Sequence, residues 1–126
     1  MTYKELIEAM QILVQNIGNQ ETKTQKKLLK IHGKLKEYYE EYEEKLNDIR
    51  LENAMTEESG ALILDEKQGY KYNKDGQRKM YKEIKELLSS EFDYQKIEVV
   101  NPNGLEEHIY LEKFVNGVKF TQGEEE

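Results

Sequence analysis

Two histidines are the side chains of this 126-residue chain best suited to metal binding or acid–base chemistry. His32 lies beside an apolar stripe without a second histidine at ligand spacing, so we interpret it as a packing residue. His108 follows Glu106 and Glu107, and an extended backbone would place only Glu106 on its face. We interpret that face as a solvated sheet surface. The absence of cysteine excludes disulfides, thiolate metal sites and thiol nucleophiles.

A second short run, Asn73-x-Asp75-Gly76, is similar to the middle of a calcium-binding loop. Such a loop needs an acid two residues before the asparagine and a glutamate six residues after the glycine, but these positions hold Lys71 and Lys82. We therefore interpret Asn73 as a helix cap after a turn. Phosphate-binding loops, dinucleotide fingerprints and nucleophile elbows do not occur. The sequence predicts no metal, no cofactor and no enzymatic activity.

Charged side chains separate along residues 21–53, which the apolar spacing predicts to be one long helix. The first half carries Lys23, Lys26, Lys27, Lys30, Lys34 and Lys36, and the second half is dominated by acids. The helix dipole favours the reverse order, so we infer that packing or a partner set this pattern. The acids recur at three- and four-residue steps, about 6 Å apart along one side, which resembles a row of phosphates.

Three of the nine tyrosines lie where the charge changes sign. Tyrosine is favoured in binding patches because it offers a large rigid area and a polar tip. The alternative is that these tyrosines lie at the edge of a small core. The predicted partner-binding set is Tyr38, Tyr39, Tyr42, Glu37, Glu40, Glu41, Glu44 and Asp48.

The same charge split favours a homodimer. Two antiparallel copies of the long helix would place each basic half on an acidic half, in a self-complementary contact. Exposed ion pairs contribute only about 0–1 kcal/mol each, so an apolar stripe must supply most of the affinity. We expect the stripe Leu35, Tyr38 and Tyr42 to lie near the two-fold axis.

Local signals predict the helices around this segment. Thr2 and Glu5 form a capping box that opens a first helix over residues 3–17. A glycine–asparagine pair ends this helix, and the tight connection that follows makes the first and second helices antiparallel neighbours. The first helix is about half as long as the second, so the remaining length must pack on the C-terminal region or on another chain. Asn73 opens a third helix over residues 74–89.

Strand signals occupy the rest of the chain. Residues 61–64 and 70–72 flank a glycine-containing loop at 65–69, which predicts a β-hairpin. Residues 94–100 alternate like a strand and lead into a strong turn. We expect residues 105–111 to return as the partner strand, although Asn103 and Glu106 also permit a helix there.

The fold class predicted from these elements is α+β. An N-terminal antiparallel helical hairpin with one long helix precedes a small unit of β-hairpin, helix and β-hairpin. We expect a single domain over residues 1–120 and a flexible acidic tail over residues 121–126.

Residues 60–72 (GALILDEKQGYKY) and the helix at 82–88 (KEIKELL) resemble a family of small uncharacterised proteins of phages and prophages. The similarity extends to the N-terminal helical hairpin. The resemblance brings no catalytic residues. It implies a phage setting, with a role either in the particle and its assembly or against a host system.

The net charge of −7 argues against direct binding to nucleic acid or to anionic membranes. The apolar runs are too short to span a bilayer, and the first residues lack a signal-peptide layout. We expect a location in the host cytoplasm or the virion. The predicted function is a non-catalytic accessory factor that binds a phage structural protein or a host protein. The alternative is an acidic nucleic-acid mimic that inhibits a host DNA- or RNA-binding or defence enzyme.

Overall fold

The computed structural model describes residues 1–64 and 69–121, and in these ranges it shows three α-helices and a two-stranded parallel sheet. The elements are α1 (Tyr3–Ile17), α2 (Thr22–Asn53), α3 (Lys74–Ser89), β1 (Ile97–Glu98), a 3-10 helix (Ile109–Leu111) and β2 (Val115–Asn116). The mixed helical and strand content agrees with the predicted α+β class. All three α-helices begin within one residue of the predicted positions.

The first helix begins at the predicted capping box. The Glu5 N–H donates to Thr2 Oγ1 at 3.2 Å, and the Thr2 N–H donates to the Glu5 carboxylate at 2.9 Å. Two otherwise unpaired amides at the helix start are satisfied in this way. Apolar spacing of three and four residues then places one face of the helix in the core. The buried side chains on this face are Tyr3, Leu6, Ala9 and Leu13.

The first two helices are antiparallel neighbours, as predicted. The Gln25 side-chain amide near the start of α2 donates to the Ile17 carbonyl at the end of α1, at 3.0 Å. At the other end of the pair, Lys45 Nζ donates to the Tyr3 hydroxyl at 3.0 Å. This bond raises the pKa of the Lys45 ammonium group above its usual value.

The last turns of α2 pack on α3, which confirms that the long helix is covered beyond α1 by later parts of the chain. The Asn53 side-chain amide donates to Glu83 at 2.7 Å. Asn73 caps α3 as predicted, because its side-chain oxygen accepts from the Gly76 N–H at 2.7 Å. A Cβ at position 76 would lie 2.6 Å from the Asn53 carbonyl oxygen, so glycine permits this close approach.

The segment of the predicted first hairpin forms isolated antiparallel bridges. Leu64 pairs with Tyr70, and the Lys71 N–H donates to the Ile63 carbonyl at 3.1 Å. Neither side is a continuous strand in the part of the chain that the structure describes, so the hairpin is not confirmed. Residues 65–68 of its loop and residues 122–126 of the predicted tail lie outside the described residues.

The predicted second hairpin is wrong. β1 pairs in parallel with β2, with Ile97 opposite Val115 and Glu98 opposite Asn116. The Ile97 N–H donates to the Phe114 carbonyl at 2.9 Å. A parallel pair cannot be closed by a tight turn and needs a longer crossover. Here the crossover is the stretch expected to be the return strand.

This crossover advances in steps of three residues. Leu105 N–H donates to the Pro102 carbonyl, His108 to Leu105, Leu111 to His108 and Phe114 to Leu111, all at 2.8–3.0 Å. Bonds between residues three apart place every third side chain on the same side. Leu105, His108, Leu111 and Phe114 are accordingly all buried. The expected strand over 105–111 is replaced by these turns and the short 3-10 helix.

An aromatic cluster joins the start of α1 to α2 and to the segment before β1. The Phe92 ring stacks on Tyr3 at 4.5 Å between centroids and contacts Tyr38 at 5.6 Å. Tyr94 lies 4.8 Å from Tyr38 and donates its hydroxyl hydrogen to the Phe114 carbonyl at 2.6 Å. Burial raises the pKa of Tyr94, so this hydroxyl stays a donor at neutral pH.

Candidate interaction surfaces

The acids of α2 form a row on its solvent face. At about 100° per residue, the row falls within roughly 80° of the helix circumference, with its centre about 130° from the centre of the buried face. Its members are Glu37, Glu41, Glu44, Asp48 and Glu52, and all five are exposed. None of the ion pairs formed within residues 1–64 and 69–121 involves them. We call these five residues the acidic row.

The lysines of the first half of α2 face the same way. Lys23, Lys26, Lys30 and Lys34 lie in the same sector of the helix as the acidic row, and all are exposed. The charge therefore reverses along one continuous solvent face. Neither α1 nor α3 neutralises this face with an ion pair in the described ranges. Ion pairs with the rest of the described residues therefore do not explain the charge pattern.

Two of the three predicted binding tyrosines belong to the core edge. Tyr42 is only 6% exposed and lies 5.3 Å from the Tyr3 ring. The Tyr38 hydroxyl accepts from the Gln95 N–H at 3.3 Å, and the ring is half-buried against Phe92. These positions match the alternative in which the tyrosines border a small core.

Tyr39 lies on a different side of α2 from the acidic row. Its Cα direction differs by about 160° from that of Glu41, and Glu40 lies between the two. The half-buried Tyr39 side chain borders a shallow groove between α1 and α2. The groove is lined by Ile7, Met10, Gln11, Val14, Gln15, His32 and Tyr39. The structure therefore does not bring all eight predicted residues to one surface.

The stripe predicted for a dimer axis is buried inside the chain. Leu35 is fully buried, Tyr42 is nearly so, and Tyr38 packs in the aromatic cluster. A second copy could not reach this stripe without displacing α1. The proposed axis is therefore wrong, because α1 and the segment before β1 already cover it. Self-association through the outer face of α2 stays a prediction.

His108 is buried, contrary to the solvated sheet face expected for it. The side chain is 5% exposed, and Nδ1 lies 3.1 Å from the Tyr110 hydroxyl. Nε2 has no hydrogen-bond partner among the described residues. Burial lowers the pKa of His108, which keeps the imidazole neutral at pH 7. Glu106 instead accepts from the Gly104 N–H at 3.0 Å, because the backbone here is not extended.

His32 is half-buried at the groove between α1 and α2, in keeping with a packing role. In residues 1–64 and 69–121, acidic and histidine side chains do not gather in groups of three or more that could hold a metal ion. Within those ranges, each helix is too short or too polar to cross a membrane.

One cavity was not predicted from the sequence. It has a volume of about 210 Å³ and lies between α2 and the segment that contains β1. The lining residues are Lys27, Lys30, Ile31, Lys34, Ile97, Glu98, Val99, Val100, Asn101 and Leu105. The spacing of the lysines beside Ile31 is visible in the sequence. The opposite wall comes from about seventy residues later, and no local pattern reveals that contact.

No known family model matches this chain, and neither a curated protein nor a solved structure shows significant similarity to it. Its function must therefore be inferred from its own surfaces.

Proposed function

We propose that this chain is a non-catalytic accessory factor of a phage that binds a protein partner through the acidic row of α2. The observation that carries this proposal is the exposure of five carboxylates on one helix face without ion pairs in the described part of the chain. The resemblance of residues 60–72 and 82–88 to phage proteins supports the setting, with the host cytoplasm or the virion as the location.

The acidic row lowers the stability of the fold. Like charges three or four residues apart destabilise a helix by about 0.2–0.5 kcal/mol per pair. The row includes several such steps, for example Glu37 to Glu41 and Glu44 to Asp48. The core lies on the opposite side of α2 and makes no use of these side chains. Lys45 attracts Glu41, but none of the ion pairs of residues 1–64 and 69–121 involves the acidic row. This exposed, largely unpaired row supports a role in contact with another molecule.

The chemistry of the row indicates the kind of partner. Dense exposed carboxylates attract a basic surface and speed its association, with a strong dependence on salt. Apolar contacts must supply much of the affinity, since exposed ion pairs contribute only about 0–1 kcal/mol each. Tyr39 and the apolar groove beside it, reached across Glu40, offer such contacts.

The test compares two variants with the same change in net charge. One carries Glu41→Lys, Glu44→Lys and Asp48→Lys in the acidic row. The control carries Glu8→Lys, Glu86→Lys and Glu112→Lys, which are exposed positions elsewhere. Each tagged chain is purified from infected or expressing cells, and co-purifying proteins are identified by mass spectrometry. We expect the control and the parent to retain the same partner and the row variant to lose it.

Circular dichroism and the melting temperature must stay near the parent values for both variants. Retention of the partner by the row variant would place the binding site elsewhere. Tyr39→Ala tests the extension of the site into the groove. If the partner spans both surfaces, this variant binds it more weakly while the acidic row remains intact.

A second candidate function is an acidic mimic that blocks a nucleic-acid-binding host enzyme. It is favoured by the spacing of the acidic row, about 6 Å between successive charges. The lysines on the same face would repel a basic groove, so mimicry would be confined to residues 37–52. Here the purified chain should displace a labelled duplex from the captured partner, and the row variant should not. A partner without affinity for DNA or RNA would exclude this function.

A further inference from the structure

We infer that the cavity between α2 and β1 binds an extended acidic peptide that inserts one apolar side chain. This site lies on a different surface from the groove beside Tyr39 and has the opposite charge from the acidic row. It therefore goes beyond the proposed function, and each can fail without the other.

The floor of the cavity is apolar. Ile31 and Leu105 are buried beneath it, and Ile97 and Val99 are half-buried on the β1 side. Its volume of about 210 Å³ exceeds the roughly 150 Å³ of an engineered apolar cavity that holds benzene. The space therefore suits one large apolar side chain, such as leucine or phenylalanine.

One wall of the cavity is basic. Lys27, Lys30 and Lys34 project from successive turns of α2 and span about 10 Å along the helix axis. An extended peptide advances about 3.3 Å per residue, so the three ammonium groups match a run of about three residues. Lys30 and Lys34 take part in none of the ion pairs of the described residues. Lys27 donates to the Asn103 carbonyl.

The other wall offers an edge for an added strand. The N–H groups of Ile97 and Val99 donate toward β2, to Phe114 and Asn116. Because alternate residues of a strand turn to opposite edges, the main-chain groups of Glu98 face away from β2. Peptides commonly bind such an edge in an extended conformation. This mode favours a peptide over a small organic anion.

Two side chains on the rim support this choice of ligand. Val100 is 98% exposed, although it is apolar and borders the cavity. A bound peptide would cover it. Glu98 is the carboxylate in the lining, and it accepts from the Asn116 side-chain amide at 2.9 Å, which orients it toward β2. The three lysines outnumber it, so the cavity attracts acidic residues in a protein whose net charge is −7.

The test is a titration of the full chain, labelled with ¹⁵N, with three blocked pentapeptides. The probe is Asp-Glu-Leu-Asp-Glu, and the two controls replace the leucine with serine or all four acids with lysine. We expect the probe to shift the amide signals of residues 97–101 in a saturable manner. The serine peptide should bind at least about fivefold more weakly, because the apolar contact is lost. The lysine peptide should not saturate.

Matched variants distinguish binding at the cavity from a general electrostatic attraction between the peptide and the protein. Lys34→Glu reverses a charge in the cavity, whereas Lys36→Glu makes the same change on another side of α2. We expect about tenfold weaker binding for Lys34→Glu and less than about twofold for Lys36→Glu at low salt. Val100→Ser should also weaken binding, and its exposure means that the fold is retained.

Three results would overturn the inference. The first is equal weakening by Lys34→Glu and Lys36→Glu. The second is equal binding of the leucine and serine peptides. The third is the absence of shifts at residues 97–101 with about 5 mM probe, which corresponds to a binding free energy weaker than roughly −3 kcal/mol.

Discussion

Lys113 donates a hydrogen bond to the Glu5 carboxylate at 2.8 Å and so joins two residues separated by 108 positions in the sequence. The same carboxylate accepts from the Thr2 N–H in the capping box of α1. The hydrogen bonds from Lys113 and Thr2 lower the pKa of Glu5 from 4.5 to about 2. One side chain thus links the start of α1 to the segment immediately before β2.

The first prediction concerns acid unfolding through Glu5. Its pKa is depressed in the folded state, so the contribution to stability is complete above pH 4.5 and is lost as the pH falls toward about 2. Glu5→Gln should flatten this part of the pH dependence, measured as urea midpoints across that range. Glu8→Gln, on the same helix but exposed, is the control. An unchanged acid slope in Glu5→Gln would contradict the assignment.

The second prediction concerns the buried imidazole of His108. Its folded-state pKa lies below 6.5, so the unfolded chain takes up a proton first as the pH falls. Stability should therefore decrease as the pH falls from about 6.5 toward the lowered folded-state value. His108→Met should remove this dependence, whereas His32→Gln should keep it. Thermal melts between neutral pH and pH 5 measure this pH dependence of stability. The same slope in His108→Met as in the parent would show that His108 does not cause it.

The third prediction concerns the aromatic cluster. Phe92 stacks on Tyr3 and contacts Tyr38 and Tyr94. Phe92→Ala should cost about 2–4 kcal/mol of unfolding free energy, because a cavity forms where α1, α2 and the segment before β1 meet. Tyr81→Ala, at a position 63% exposed, should change it by less than about 0.5 kcal/mol. Equal effects in chemical denaturation would show that the cluster is not structural.

The fourth prediction concerns the contact between Gly104 and Thr24. Gly104 has φ of +92°, and a Cβ there would overlap with the Thr24 hydroxyl. Gly104→Ala should cost about 2 kcal/mol or more, because left-handed strain of about 1–2 kcal/mol adds to the overlap. Thr24→Ala in the same chain removes the overlap but not the strain, so the double variant should recover only part of the loss. Additive effects in this double-mutant cycle would argue against the contact.

The helices could be predicted because their signals are local. Thr2 with Glu5 and Asn73 with Gly76 lie within one helical turn of each other, and the apolar spacing needs no distant partner. The placement of the acids along one side of α2 is visible in the same kind of local spacing.

The C-terminal part depended on contacts distant in sequence. A turn was predicted at residues 101–104, and the structure closes it one residue later, where the Leu105 N–H donates to the Pro102 carbonyl. A turn signal does not specify which segment pairs with the strand before it. A two-residue parallel pair has too little alternation to reveal its register. The burial of His108 had a sequence signal that we missed. Leu105, Leu111 and Phe114 share its three-residue spacing, which fits neither a strand nor an α-helix.

The candidate binding surfaces could be predicted only in part, because residues distant in sequence come together to form them. Helical spacing separates Tyr39 from Glu41, and it could have divided the predicted site before the structure was known. The basic cavity could not be predicted, because Lys30 and Val100 meet only after the C-terminal segment packs on α2.

The steps of three between Pro102 and Phe114 determine which length changes this crossover can accept. One residue inserted in the 3-10 helix Ile109–Leu111 would rotate the following side chains by about 120° and carry Leu111 from the core into water. Three inserted residues would restore the direction of every later side chain and lengthen the path by about 6 Å. We therefore expect natural relatives and engineered variants to gain or lose residues here in multiples of three.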